Sequence, residues 1–119
     1  MTRDELVRYC LEKPGTEETY PFDETTTVFK VKNKMFALSG QGQIPATVNL
    51  KCDPDHAEAL RSIYEAVKPG YHMDKRHWNT VILDGTIPDI QIKEMIDHSY
   101  NLVVAKLSKQ ERDSLSKTE

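Results

Sequence analysis

Residues able to do chemistry concentrate in one stretch, GYHMDKRHWNTV at 70–81, which holds two of the four histidines, the single tryptophan and the basic pair Lys75-Arg76. A zinc site takes three or four N, S or O ligands at compact spacing. His72 and His77 lie five positions apart across an expected turn, there is no H-x-x-x-H, and the nearest cysteine, Cys52, is twenty residues upstream. No metal is expected. Nucleophilic catalysis needs Cys or Ser within hydrogen-bond reach of a base. Cys10 falls on a helix face and Cys52 at a strand end, and no G-x-S-x-G elbow is present. The carboxylates read as caps and solvated helix faces. An enzyme centred on His72 and His77 would need both rings in one pocket with a third polar group. SGQGQIP at 39–45 has two glycines but joins strand to strand. A phosphate cradle needs a following helix whose first amides point at the anion.

Nucleic-acid contact suits the residue types better. Lys30 and Lys32 share an expected strand face, Lys34 follows in the turn, and Lys51 points outward from a neighbouring strand. Lys68, His72, Lys75, Arg76, His77 and Asn79 gather near the last strand. Cations neutralise phosphates, and interleaved Tyr71 and Trp78 can stack against bases. Two plainer roles compete. Exposed strand lysines also blunt sheet edges, and a tryptophan opening a strand suits a core anchor.

The elements that must position these residues follow from periodicity. Residues 2–12 read as a helix opened by a Thr2-x-x-Glu5 capping box and closed by Pro14-Gly15. The β-branched run 25–32 and the segment 35–39 read as a hairpin turning at Asn33-Lys34. ATVNLKC, 46–52, alternates as a third strand, with Val48, Leu50 and Cys52 on one side. Asp53 and Pro54 are a natural cap and first residue of a second helix, with Ala57, Leu60, Tyr64 and Val67 at helical spacing and Pro69-Gly70 as its stop. Residues 77–84 read as a strand. Thr86 is the expected cap of a last long helix, with Ile92, Met95, Ile96, Val103 and Leu107 as its buried stripe. The order predicts an α+β, two-layer domain over 1–107, an antiparallel β-sheet with helices packed on one face. The polar tail 108–119 is expected to add at most one helical turn and to fray.

The totals agree with one small domain. The 119 residues are enough for one core, and 38% hydrophobic with 29% charged content suits a polar surface. No apolar run approaches the roughly 18 residues that span a bilayer, and the N-terminus lacks a signal-peptide core, so a cytoplasmic location without membrane contact is expected. Cys10 and Cys52 are expected as free buried thiols. Net charge is −3, against unspecific polyanion binding, but residues 25–82 hold eight basic and five acidic groups between acidic ends. Such a basic middle can place positive charge on one sheet.

Residues 69–103 carry a pattern that closely resembles the MmcQ/YjbR family of bacterial proteins. It comprises Pro69, Tyr71-His72, a Lys-rich turn, His77-Trp78-Asn79-Thr80-Val81, Leu83-Asp84-Gly85, Pro88-Asp89, Ile92 and Asp97-x-Ser99-Tyr100. The start is similar too: an amphipathic helix ending in Lys13-Pro14-Gly15, an acidic stretch, Pro21-Phe22 and an FKV…MFAL hairpin. The resemblance implies a CyaY-like α+β fold and DNA binding through a "double wing". In the DNA-contact reading of this chain, the hairpin at 32–35 acts as a wing. Frataxin-like folds also bind iron through acidic helix ridges. Here the acids are scattered, and Asp4 and Glu5 complement a helix dipole, so no iron and no other cofactor is expected. The expected function is therefore a non-enzymatic, monomeric binding protein that contacts DNA. The alternative is a protein- or small-ligand-binding module, of secretion-chaperone-like form, using an apolar sheet or groove.

Overall fold

Thr2 starts the first helix because its hydroxyl accepts the Glu5 N–H while the Glu5 carboxylate accepts the Thr2 N–H. In the computed structural model, which describes residues 1–116, this helix, α1 (Arg3–Leu11), turns Leu6 and Cys10 inward. The chain continues through β1 (Thr16–Thr19), β2 (Thr26–Val31), β3 (Lys34–Gly40), β4 (Thr47–Lys51), α2 (Pro54–Ile63), β5 (Val67–Pro69), β6 (Trp78–Ile82), α3 (Asp89–Ala105) and α4 (Lys109–Ser116). The strands form one antiparallel sheet in the order β1-β2-β3-β4-β6-β5. Leu6 of α1, Ile96 and Tyr100 of α3 and Leu115 of α4 share one buried cluster with Phe29, Val48, Leu50 and Val81 of the sheet, and Leu60 of α2 packs against it. The result is the expected two-layer α+β fold.

One irregularity shapes the layer contact. Phe29 pairs with Ala37 but Lys30 pairs with Met35, so Phe36 has no partner on β2. The extra residue lets both Phe36 and Ala37 enter the helix-side core. Paired positions between β3 and β4 shrink to Ala37–Leu50 and Leu38–Asn49. Ser99 of α3, fully buried, fills the gap. Its hydroxyl donates to the Phe36 carbonyl at 2.5 Å and accepts the Lys51 N–H at 2.9 Å. One residue on, the Tyr100 ring meets Phe36 edge-on at 5.3 Å, and its hydroxyl donates to the Pro14 carbonyl at 2.5 Å.

Several local expectations need correction. The hairpin turns at Lys32-Asn33, not Asn33-Lys34: both have positive φ, 48° and 67°, and Val31 pairs with Lys34. Such a two-residue turn matches strand twist only with left-handed central residues. Residues 16–19 form a strand hidden in the sequence, because an edge strand with exposed glutamates shows no apolar alternation. The second helix ends at Ile63, and Val67 belongs to β5. Thr86 does not cap α3. Its N–H and hydroxyl donate to Asp84 at 3.0 and 2.6 Å, and Pro88 takes the cap position. The tail does not fray through 109–116. Ser108 and Glu111 form a second reciprocal cap. Leu115 packs on Gly15, where a methyl would collide with it and φ is +73°. Residues 117–119 of that expected tail lie outside the described residues.

Ser99→Ala removes both bonds and strands a buried carbonyl and a part-buried N–H. Leaving such groups unpaired costs roughly 1–3 kcal/mol, so urea unfolding is expected to show a lowered midpoint at unchanged slope, whereas Ser108→Ala at the exposed cap costs less than about 1 kcal/mol.

Candidate functional site

Strand register decides where the basic residues go. Lys34 opens β3 at the hairpin tip, and Lys51 closes β4 opposite Trp78, the first residue of β6. In an antiparallel sheet these positions, together with the 70–77 connection that precedes Trp78, emerge at the same end. Lys51 is half-buried, and its pKa is pulled down by burial and then by repulsion from Lys106 and Lys34. Three ammonium groups therefore share that end. Lys30 is less free, because Glu17 lies directly across from it on β1. Lys68 stands exposed on β5 opposite Thr80. The acidic turn with Asp23 and Glu24 leaves from the other end, between β1 and β2.

The 70–77 connection folds back over the sheet face away from the helices. Trp78 is buried, 8% exposed, yet lies outside the main core. It forms a second cluster with Val28 and Leu38, flanked by Met35 and Met73. Gly70 approaches so closely that a Cβ would meet the Trp78 carbonyl and Cβ. Asp74 organises the next turn, accepting the Arg76 N–H at 3.0 Å and pairing with His77 Nδ1 at 2.9 Å. The bond to His77 and that to the Arg76 amide hold its carboxyl below the ordinary value. From beneath, Arg61 of α2 bonds Asn79 Oδ1 at 2.7 Å, the Trp78 carbonyl at 3.3 Å and the Lys75 carbonyl.

Of the residues expected at a nucleic-acid surface, His72, Lys75 and Arg76 are exposed and His77 is half-buried. Asn79 is not part of that surface. It is 2% exposed and faces the helix layer, bonded to Arg61 and donating to the Ala57 carbonyl at 3.3 Å. The strand parity that points Val81 into the core does the same to Asn79. His72 and His77 do not converge: the His72 ring lies against Tyr71 at 4.0 Å, while His77 is engaged by Asp74. Arg61 escaped sequence reading because a basic residue in the last turn of a helix reads as a dipole complement.

Two further features lie outside this basic end or beside it. A groove of about 720 Å³ crosses the uncovered sheet face, with Phe22 and Tyr71 on its walls. Asn49, Thr80 and Tyr71 form a closed network. The Tyr71 N–H donates to Thr80 Oγ1 at 2.9 Å, Thr80 donates to Asn49 Oδ1 at 2.5 Å, and Asn49 Nδ2 donates to the Tyr71 carbonyl at 3.4 Å. Between α2 and α3, the His56 and His98 rings lie 5.0 Å apart, and the Asp53 N–H donates to His98 Nε2 at 3.3 Å. Among the described residues, no three His, Cys, Asp or Glu side chains are grouped to hold a metal ion. Cys10 and Cys52 are free and buried. Burial pushes their thiols up to about 12 and about 11, so neither is a thiolate near neutral pH. Among the described residues, no helix is long and apolar enough to cross a membrane.

The YjbR family model matches residues 11–102. The chain belongs to the YjbR family. The uncharacterized protein YjbR of Escherichia coli strain K12 is 40% identical over 115 residues, covering 97% of this chain and 98% of that one. The Bacillus subtilis protein YyaQ is 32% identical, covering 86% and 98%. A Deinococcus radiodurans crystal structure superposes with a TM-score of 0.91 at 44% identity, over 97% of this chain and 88% of the other. In this YjbR-family chain, the His77-Trp78 motif marks the start of β6. It opens the strand that carries Trp78 to one face and Asn79 to the other.

Two outcomes test this geometry. Arg61→Met removes the clamp beneath the 70–77 segment, so amides at 75–78 are expected to exchange at least tenfold faster while those of α3 are unchanged. His98 is held below its ordinary 6.5 by burial and by His56. The unfolded chain therefore takes up that proton more readily, and the stability contributed is full above about pH 6.5 and is lost as pH falls through the lower folded value. Melting temperatures between pH 7.5 and 5.5 should fall less steeply in His98→Gln than in the parent.

Proposed function

We propose that this protein is a non-enzymatic cytoplasmic DNA-binding protein that meets the duplex with the basic end of its sheet. The observation that carries the reading is the register that brings the Lys32-Asn33 hairpin tip, Lys34, Lys51 and the Lys75-Arg76 turn to one end. In this reading the hairpin and the 70–77 connection act as two protrusions. Lys32, Lys34, Lys75 and Arg76 neutralise phosphates, and Lys51 adds a half-buried charge behind them. The acidic 20–25 turn faces away, which reconciles a net charge of −3 with contact to a polyanion through local charge. Asp74 and Arg61 hold the second protrusion in shape, which lowers the ordering cost on binding.

Four phosphate contacts give a log–log dependence of affinity on salt with slope of about −3 to −4. In a fluorescence-anisotropy titration of a labelled duplex, Lys75→Glu with Arg76→Glu is expected to cut affinity at least tenfold and to bring the slope towards about −2. Thermal melting of the double variant checks that the fold persists. Absence of titratable binding to duplex DNA in low salt would overturn the reading.

A further inference from the structure

The groove on the uncovered sheet face is separate from the basic end, and nothing in the DNA reading uses it. Its lining is mostly apolar, with Leu38, Met73 and Ile82, and Thr47, Asn49 and Thr80 add polar groups, while aromatic residues stand exposed at its walls: Phe22 is 63% and Tyr71 69% exposed. Two exposed rings over a concave surface of this size mark a ligand-binding groove rather than scattered surface residues. The wall is also held in place. Tyr71 is fixed through both its N–H and its carbonyl, and His72 keeps a left-handed φ of +60° with its ring against Tyr71. A backbone outlier maintained by surrounding bonds is characteristic of preorganised sites.

Charge and hydrogen-bonding capacity define what fits. No carboxylate side chain lines the groove, whereas Lys68 and His72 do. Among the described residues Lys68 is engaged by no ion pair. Asp23, next to Phe22, is turned into its own loop, accepting the Thr25 and Thr26 N–H groups at 2.9 and 2.7 Å. The amides add donors. Gln43 Oε1 and Asn49 Oδ1 accept from Thr47 and Thr80, and Asn49 Nδ2 spends one hydrogen on the Tyr71 carbonyl, which leaves the Gln43 Nε2 hydrogens and the second Asn49 Nδ2 hydrogen for a ligand. We infer that this groove binds an elongated aromatic monocarboxylate, its ring lying on Tyr71 and its carboxylate facing Lys68. The aromatic body gains from stacking. The anion gains from a cation without a competing partner.

The probe is biphenyl-4-carboxylate, titrated into the full chain and followed by amide NMR shifts. Saturable shifts confined to Tyr71, Thr80, Asn49 and their neighbours are expected, with at least tenfold weaker binding in Lys68→Glu and at least fivefold in Tyr71→Ala. Both side chains are exposed, and unchanged melting of each variant confirms the fold. The cationic isostere biphenyl-4-ylmethylammonium should produce no saturable shift. Absence of saturable shifts with the carboxylate, shifts centred elsewhere, equal binding of the cation, or indifference to Lys68→Glu would each overturn the inference.

Discussion

The Ser99 hydroxyl is the contact on which the rest of the molecule depends. The extra residue in β3 gives the core two consecutive side chains, Phe36 and Ala37, and cuts short the β3–β4 pairing that would have satisfied the neighbouring backbone. A buried carbonyl and a part-buried N–H then need a partner that is not a strand. Ser99 supplies one atom for both. The bond seats α3 against the middle of the sheet, sets Phe36 against Tyr100, and fixes the end of β4 where Lys51 sits. Helix packing, sheet shape and the position of Lys51 thus share a single hydroxyl.

A second constraint acts on the other face. The helices pack on one face of the sheet, so the opposite face would be wet. The 70–77 connection answers this locally: Met73 and Trp78 cover Val28 and Leu38, and Gly70 allows the close approach. What remains uncovered is the groove. The stretch that carries Lys75 and Arg76 to the basic end is therefore the same stretch that walls the groove with Tyr71 and His72. Its shape is set from beneath by Arg61 and from within by Asp74. An exposed basic turn and the packing of the uncovered face are produced by one short segment, which explains why so many uncommon residue types gather there.

Much of the architecture was legible in the chain. The capping box at Thr2, the Asp53-Pro54 start of α2, the alternation of Val48 and Leu50, and the stripe of α3 each state a local preference that packing then confirmed. The failures share a cause. β1 has no apolar signal because an edge strand borrows its order from β2. Thr86 looked like a cap, yet Asp84 offered its hydroxyl and N–H a nearer partner. α4 is polar in composition and survives because Leu115 finds Gly15, a neighbour a hundred positions away in the chain.

For the candidate site the division is similar. By itself the amino-acid order determined the fold class, the family pattern around His77-Trp78, and which residue types were available to meet phosphate. Those are matters of local periodicity and side-chain chemistry. Only the tertiary structure decided that Asn79 turns inward to Arg61, that His72 and His77 part, and that Lys34, Lys51 and Lys106 meet at one end. Only it made the groove, whose lining is drawn from the β1–β2 loop to β6. Strand order and register set these neighbours. They are settled by long-range burial of the whole sheet face, a quantity that no short window of sequence contains.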